Sequence, residues 1–157
     1  MKILAVDPSY AGQTGWATIL DGKLLDYGIL KPKSVLEWHE QAPRNLMLAA
    51  CDVLVIEDTF FGRNVATLKK LEQAKCLWTI PARDLYGIKV VEVKPESWMV
   101  AICGKRSFKG GSAKDVNAMR FYVKNRWGVE PESIDALSAI CLGTYYVDKE
   151  NSEHVPD

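Results

Sequence analysis

Apolar residues occur along the chain both in short continuous runs and at spacings typical of helices. Three runs, at residues 3–6, 53–56 and 88–93, have the length and β-branched content of strands buried on both faces. Residues 14–20 and 24–30 follow the first run and predict a hairpin with Asp-Gly-Lys as its turn.

Helices are predicted between and after these strands. One begins at Ser34, and Pro43 interrupts or restarts it. Residues 95–103 predict a short helix, and residues 148–157 predict a flexible acidic tail, which leaves residues 1–147 as one domain. Three longer helices are marked by apolar residues on one face: Leu68, Leu71, Ala74 and Trp78; Val116, Met119 and Val123; Ile134, Leu137, Cys141 and Tyr145.

The order of these elements predicts an α/β fold, a mixed sheet with helices on both faces. The strands that end before Asp7 and Glu57 are expected to be parallel, because a helical crossover separates them. Parallel strands deliver their carboxyl ends to one edge of the sheet, where open α/β sheets bind ligands. We therefore expect Asp7 and Glu57 to face one another across a small gap.

The charge is balanced in total but unevenly distributed. The 157 residues carry a formal net charge of zero, and one domain of this length buries about 70% of its extended surface. Residues 89–126 contain nine basic and three acidic side chains, whereas residues 127–157 contain seven acidic side chains and one lysine. This asymmetry favours a phosphate-binding surface beside a metal site.

The four cysteines are scattered and form no CxxC pair, which predicts reduced core thiols in a cytosolic protein. The sequence shows no signal peptide and no apolar run long enough to span a bilayer. We therefore expect an intracellular protein with no membrane partner, in the cytosol of a bacterium or of a phage-infected host.

Four carboxylates are candidates for chemistry: Asp7, Glu57, Glu132 and Asp135. Glu132 and Asp135 lie three residues apart and would share one face of a helix. Asp135 is surrounded by small and apolar residues, so its ionised form needs a cation or a strong hydrogen-bond partner. Converging carboxylates without matched bases favour Mg²⁺, with Mn²⁺ as a substitute. Alternatives are an Asx-type turn at Asp7 and simple helix-dipole stabilisation by Glu132.

Four segments together carry a resemblance to a known family. They are "ILAVDPSYAGQTGWATI", "VLVIEDTFFGRNVATLKKLEQAKC", "VKPESWMVAICGKR" with the following "SAKDVNAMR", and "SIDALSAICLG". In this order, with the DP…TG, IE and DAL signatures, the chain resembles a RuvC-type Holliday junction resolvase over residues 3–146. The small phage-like members of that family are the most similar. The resemblance implies an RNase H-like fold with a mixed five-stranded sheet.

The resemblance also implies roles for single residues. Asp7, Glu57 and Asp135 correspond to ligands of a divalent metal, and Glu132 falls on the fourth acidic position, where the family more often has Asp or His. The residues that correspond to DNA-contacting or functional basic positions are Phe60, with Phe61 as its possible substitute, Lys94 and Lys114.

The stretch "GKRSFKGGSAK" suggests DNA contact on its own composition. Its basic residues are interleaved with a phenylalanine and two glycines, as in a flexible arm along a phosphate backbone. An ordinary solvated loop is the alternative. The basic residues concerned are Lys105, Arg106, Lys109 and Lys114.

The implied activity is hydrolysis of phosphodiester bonds in four-way DNA junctions by paired symmetric nicks, which leave 5′-phosphate and 3′-hydroxyl ends. Two metal ions would activate water and stabilise the leaving oxygen, with Asp7 shared between them and Glu132 supporting the second. Lys114 would neutralise the phosphate or orient the water, and two symmetric nicks imply a homodimer. The alternatives are an RNase H-like nuclease acting on other branched DNA or RNA–DNA substrates, and a non-catalytic junction-binding module.

Overall fold

The structure is a computed structural model that describes residues 1–9, 13–31, 37, 42–59, 65–104 and 113–153. The side chains of residues 42, 43, 46, 113 and 114 lie outside this description.

The strands form one mixed sheet in the order β3-β2-β1-β4-β5. The pairs β1–β2 and β2–β3 are antiparallel, whereas β1–β4 and β4–β5 are parallel. The α/β class, the five strands and the parallel central pair are therefore confirmed. The strand bounds are β1 Lys2–Asp7, β2 Thr14–Leu20, β3 Lys23–Leu30, β4 Val53–Glu57 and β5 Lys89–Val93.

The predicted hairpin joins β2 to β3 through Asp21 and Gly22. Both residues have positive φ, 47° and 76°. Two consecutive left-handed residues suit the right-handed twist of the flanking strands, and Asp-Gly is a favoured pair at such turns. The local sequence therefore sets the register of this edge of the sheet.

The helices are α1 Ala42–Ala49, α2 Val65–Asp84, α3 Pro95–Cys103, α4 Ala113–Trp127 and α5 Ile134–Glu153. The helix start predicted at Ser34 lies outside the described residues. Pro43 is the second residue of α1, so it stands in the first turn, where a proline breaks no helical hydrogen bond. None of the described helices is both long enough and apolar enough to cross a bilayer.

Apolar side chains cover both faces of the sheet, as predicted. Along β1, Ile3 points into one core and Leu4 and Val6 into the other. The first core lies under α3, α4 and α5, and the second lies under α1 and α2. The four cysteines are free, and Cys51 and Cys141 are buried in these cores. The prediction of core thiols is therefore confirmed for these two, whereas Cys76 and Cys103 are only partly buried.

The prediction of a flexible acidic tail from Asp148 onward is wrong for residues 148–153, because α5 continues to Glu153. Asp148 accepts hydrogen bonds from the Tyr122 hydroxyl at 3.2 Å and from Arg126 at 3.0 Å. These contacts tie the last turns of α5 to α4, which a count of charges along the sequence does not reveal. Residues 154–157 lie outside the described residues.

Helix α5 lies very close to the central strands at Gly143. A Cβ at this position would stand 2.9 Å from the Cβ of Ala5 and 3.0 Å from Cδ1 of Ile19. Real Cβ atoms are rarely found so close to other heavy atoms. The absence of a side chain at Gly143 therefore allows α5 to rest on β1 and β2.

Replacing Gly143 with alanine is expected to lower the free energy of unfolding by about 1–3 kcal/mol, the usual cost of overpacking a core. Alanine is better than glycine inside a helix by about 1 kcal/mol. A loss of stability would therefore arise from crowding against Ala5 and Ile19, because helix propensity alone would raise the stability. Urea denaturation measures the change.

The matched control is Gly143→Ala combined with Ala5→Gly, which removes the closer of the two contacts. The double variant should lose less stability than the two single changes added together, because the two positions are in contact. A Gly143→Ala protein more stable than the wild type would contradict this description of the packing.

Candidate active site

Two carboxylates leave the sheet at the same edge. Val6 and Ile56 are partners in the parallel pairing of β1 with β4, so the next residues, Asp7 and Glu57, emerge side by side. Both residues are half-buried. The structure therefore places these two carboxylates as the strand pattern predicted.

Asp135 reaches the same place from the first turn of α5. Asp7 is paired with Gly15 on β2, and the backbone of Asp135 lies directly against Gly15. A Cβ at position 15 would overlap the carbonyl oxygen of Asp135. Close contact between α5 and β2 thus brings Asp135 next to the end of β1.

The Asp135 carboxylate has no hydrogen-bond or ion-pair partner among the described residues. It is also half-buried. Burial raises the pKa of Asp135, and the charge of Lys31 at the end of β3 acts in the opposite direction. Such a group gains more from a bound cation than a carboxylate that already has donors.

Glu57 has a different environment. The indole Nε1–H of Trp98 donates to Oε2 of Glu57 at 2.8 Å. Trp98 belongs to α3, which begins just after β5, and β5 is the strand paired with β4. A side chain that resembled ordinary core in the sequence therefore contacts a candidate metal ligand.

A buried lysine lies beside this edge. Nζ of Lys75 on α2 is 2.8 Å from Asp58, 2.9 Å from Glu92 and 3.2 Å from Glu72. Its side chain is only 9% exposed. The hydroxyl of Thr59 also donates to Glu72. The residues directly after Glu57 are thereby tied to α2 and β5.

The contacts within this cluster shift the pKa values of Asp58 and Lys75. Burial raises the pKa of Asp58, but the Lys75 ammonium outweighs it and holds that pKa below its ordinary value. Burial likewise opposes the charge of Lys75, but its three carboxylate partners raise its pKa above the ordinary value. Asp58 and Lys75 therefore both stay charged near neutral pH.

The prediction that Glu132 shares a helical face with Asp135 is wrong. Helix α5 begins at Ile134, and the carbonyl of Ser133 accepts its first backbone hydrogen bond, so Glu132 precedes the helix. Its side chain is exposed. The guanidinium of Arg120 donates to the backbone carbonyls of Pro131 at 2.9 Å and of Glu132 at 3.3 Å, which holds this segment against α4.

Among the predicted DNA contacts, Lys94 is the one whose side chain the structure describes. It is exposed, follows β5 directly and is the N-cap residue of α3, at the same edge as Glu57. Lys114 lies in the first turn of α4, but its side chain is outside the description. Phe60, Phe61, Lys105, Arg106 and Lys109 all lie outside the described residues.

The three carboxylates suit a hard divalent cation, both because they offer oxygen ligands and because their backbones lie close together. Asp7, Glu57 and Asp135 supply oxygen ligands from adjacent positions, and oxygen is what Mg²⁺ and Mn²⁺ prefer. Their side chains do not stand as a finished ligand group. Within the described ranges, no three acidic, histidine or cysteine side chains are placed so that they could hold an ion.

Sequence reasoning missed three residues near this edge: Lys31, Lys75 and Trp98. A signal existed for Lys75, which follows Leu71 by four residues and precedes Trp78 by three, so it falls on the apolar face of its helix. A lysine on such a face needs anionic partners. Lys31 and Trp98 reach the site through tertiary packing and gave no comparable signal.

Comparison with known proteins agrees with the fold and with the motifs. No family model matches the chain. A curated relative, the crossover junction endodeoxyribonuclease RuvC of Chloroflexus aggregans, is 28% identical over an alignment of 155 residues, and the match covers 90% of this chain and 90% of that one.

Solved structures show the same fold. The chain is similar to RuvC of Thermus thermophilus in complex with a Holliday junction substrate, with a TM-score of 0.74, 15% identity and coverage of 98% of this chain and 96% of that one. The fowlpox virus Holliday junction resolvase gives a TM-score of 0.60 at 16% identity, over 95% of this chain and 99% of that one.

The sheet order, the helices on both faces and the carboxylates at one sheet edge define an RNase H-like α/β fold. The resemblance to RuvC-type Holliday junction resolvases that the sequence motifs indicate is confirmed by the relative and by these structures.

Replacing Lys75 with methionine is expected to lower the free energy of unfolding by about 3 kcal/mol, because it leaves carboxylates without their buried partner. This is the lower end of the range for buried pairs, since Asp58 and Glu92 are partly exposed. The Lys75–Asp58 pair stabilises the folded state above pH 3.8, the ordinary pKa of Asp. This stabilisation is lost as the pH falls through the lowered pKa of Asp58. The two proteins should therefore converge in stability below that pH.

Lys124→Met is the control for Lys75→Met, because Lys124 pairs with Glu130 at 2.6 Å while both side chains are more than 60% exposed. It should cost far less than Lys75→Met, because exposed ion pairs contribute little to stability. Guanidinium denaturation between pH 3 and 7 (about the range over which carboxylates titrate) separates the two variants. Equal losses would show that Lys75 is not an electrostatic centre.

Replacing Asp135 with asparagine is expected to raise the melting temperature in chelator by about 2–4 °C, the shift that 1 kcal/mol gives in a domain of this size. The first turn of a helix favours a carboxylate, but burial raises the pKa of Asp135. The folded state then binds the proton more tightly than the unfolded state, so wild-type stability falls as the pH rises through the window between the two pKa values. The advantage of asparagine should grow across that window.

Asp148→Asn provides the contrast for Asp135→Asn, because Asp148 has donors in Tyr122 and Arg126. That variant should melt at a lower temperature than the wild type. An Asp135→Asn protein that also melts lower would mean that the carboxylate is already stabilised without a metal.

Proposed function

We propose that this chain is a divalent-metal-dependent, structure-selective endodeoxyribonuclease that resolves four-way DNA junctions by paired symmetric nicks. The observation that carries the proposal is the approach of α5 to Gly15, which gathers Asp7, Glu57 and Asp135 at one sheet edge. The similarity to RuvC supports it, because the RuvC of Thermus thermophilus is known in complex with a Holliday junction. A resolvase of a bacterium or phage would work in the cytosol, where its DNA lies.

Asp7, Glu57 and Asp135 would hold Mg²⁺, with Mn²⁺ as a substitute, and two ions would occupy the site with Asp7 shared between them. When bound, the ions would activate water and stabilise the departing 3′ oxygen. Glu132 stays a predicted supporting ligand on the segment before α5. The half-buried positions of the three carboxylates limit their hydration, which strengthens their interaction with a cation.

The chain's basic residues would hold the substrate. Lys94 stands exposed at the same sheet edge and would contact a phosphate next to the site. Lys31, at the end of β3, adds positive charge beside Asp135. Lys114 and the basic stretch before it would extend this contact along the backbone, with Phe60 or Phe61 against the bases.

A homodimer follows from the substrate. A four-way junction has near two-fold symmetry, and two symmetric nicks require two active sites related by the same symmetry. The predicted products carry 5′-phosphate and 3′-hydroxyl ends.

The deciding experiment is cleavage of a synthetic four-way junction by the wild type and by Asp7→Asn, with Mg²⁺, Mn²⁺ or chelator. We expect paired symmetric nicks that disappear with chelator and with Asp7→Asn, because the substitution removes the shared ligand. Linear duplex and RNA–DNA hybrid are the substrate controls. Asp84→Asn, an exposed carboxylate at the far end of α2, is the matched control and should cut like the wild type.

Tight binding of the junction without cleavage in either metal would contradict the enzyme and indicate a binding module. Preferential cutting of the hybrid or of other branched forms would keep the metal site and change the substrate. Cleavage that survives Asp7→Asn would remove Asp7 from the site.

A further inference from the structure

Trp98 makes a contact that core packing does not require. Its side chain is 0% exposed and belongs to the apolar cluster that includes Val55, Val93 and Leu137. Within this cluster its Nε1–H points to Oε2 of Glu57 at 2.8 Å. The indole thus joins the core to a charged side chain at the sheet edge.

The need of a buried indole N–H for an acceptor does not by itself explain why Trp98 bonds to the carboxylate of Glu57. Nε1 of Trp127 bonds to the neutral hydroxyl of Thr144 at 3.0 Å, and Nε1 of Trp16 has no partner in the part of the chain that the structure describes. Of these three described indoles, one therefore meets a hydroxyl, one has no described partner, and one meets a carboxylate at the candidate metal site.

The chemistry of an indole suits a metal ligand. It is a donor only and carries no charge, so it can hold a carboxylate oxygen without repelling a cation, as a lysine or arginine there would. A hydrogen bond to an ionised acceptor is also stronger than one between neutral groups. The nearby ammonium of Lys75 pairs instead with Asp58, Glu72 and Glu92.

The position of Trp98 is determined by rigid elements. Glu57 and Val93 are partners in the β4–β5 pairing, and α3 starts two residues later at Pro95. Proline in the first turn sets the direction of the helix. Because Trp98 has little freedom to move, its hydrogen bond restricts Glu57 to fewer rotamers before any ion binds. Glu57 then loses less conformational entropy when an ion binds.

We infer that Trp98 is a positioning residue for the metal site, which orients the Glu57 carboxylate through its indole N–H so that the ion meets a preorganised ligand. The inference rests on the proposed function, since it assumes that Glu57 binds a divalent cation. Partners that orient metal ligands typically change metal affinity by about 10–100-fold when removed.

The test is calorimetric titration of the DNA-free protein with Mn²⁺, for the wild type, Trp98→Phe and Trp127→Phe. Phenylalanine keeps the apolar ring and removes the N–H. We expect a Kd about 10–100-fold higher for Trp98→Phe, and a Kd near the wild-type value for Trp127→Phe, which loses an indole bond away from the site. Junction binding in chelator should be equal in all three proteins, and cleavage by Trp98→Phe should recover at high Mn²⁺.

A Trp98→Phe protein that binds Mn²⁺ like Trp127→Phe would overturn the inference and leave the proposed function standing. A wild type that neither binds Mn²⁺ nor cuts the junction would overturn the proposed function, and the inference with it.

If Trp98→Phe does not fold, the wild type provides the test through the indole N–H resonance of Trp98 in ¹⁵N-labelled protein. Titration with Mg²⁺ should move this resonance with the same midpoint as the Mg²⁺ dependence of cleavage, because the ion draws charge from the acceptor. A resonance that stays in place while cleavage saturates would contradict the inference.

Discussion

The contact between α5 and the central strands is the constraint on which the rest of the molecule depends. Gly15 and Gly143 lack the side chains that would hold strand and helix apart, so backbone meets backbone at one point and backbone meets core side chains at the other. The first contact sets the position of Asp135 relative to Asp7. The geometry of the candidate site is therefore a result of packing, and it needs no direct hydrogen bond between the two carboxylates.

The acidic side chains at this edge have three different environments. Glu57 accepts a bond from a neutral indole, Asp58 pairs with a buried ammonium, and Asp135 has burial without a donor among the described residues. Lys75 pairs with Asp58, Glu72 and Glu92, none of which is a predicted metal ligand. The buried ammonium therefore lies beside the candidate site and does not pair with a predicted ligand in any described contact.

The sequence was sufficient for the parts of the fold that depend on local pattern. Runs of β-branched residues located the strands, and the parallel crossover then placed Asp7 and Glu57 together. It was not sufficient for contacts between segments far apart in the chain. That Asp135 lies on Gly15 is a tertiary contact with no local signature, and Trp98 looks like any core tryptophan until its partner is known. The roles of these residues stay predictions.

The strands of the sheet are not equally buried, and this difference affects which of them can unfold locally. β1 lies at the centre of the sheet and is buried on both faces, whereas β3 is an edge strand with exposed and half-buried residues throughout. Amide hydrogens of such a central strand exchange with solvent only when the whole domain unfolds, and those of an edge strand exchange through local opening. Asp7 is thus carried on a strand that opens only with the whole domain, and Lys31 follows a strand that can open locally. The two sides of the candidate site are therefore built on parts of the fold that differ in local stability.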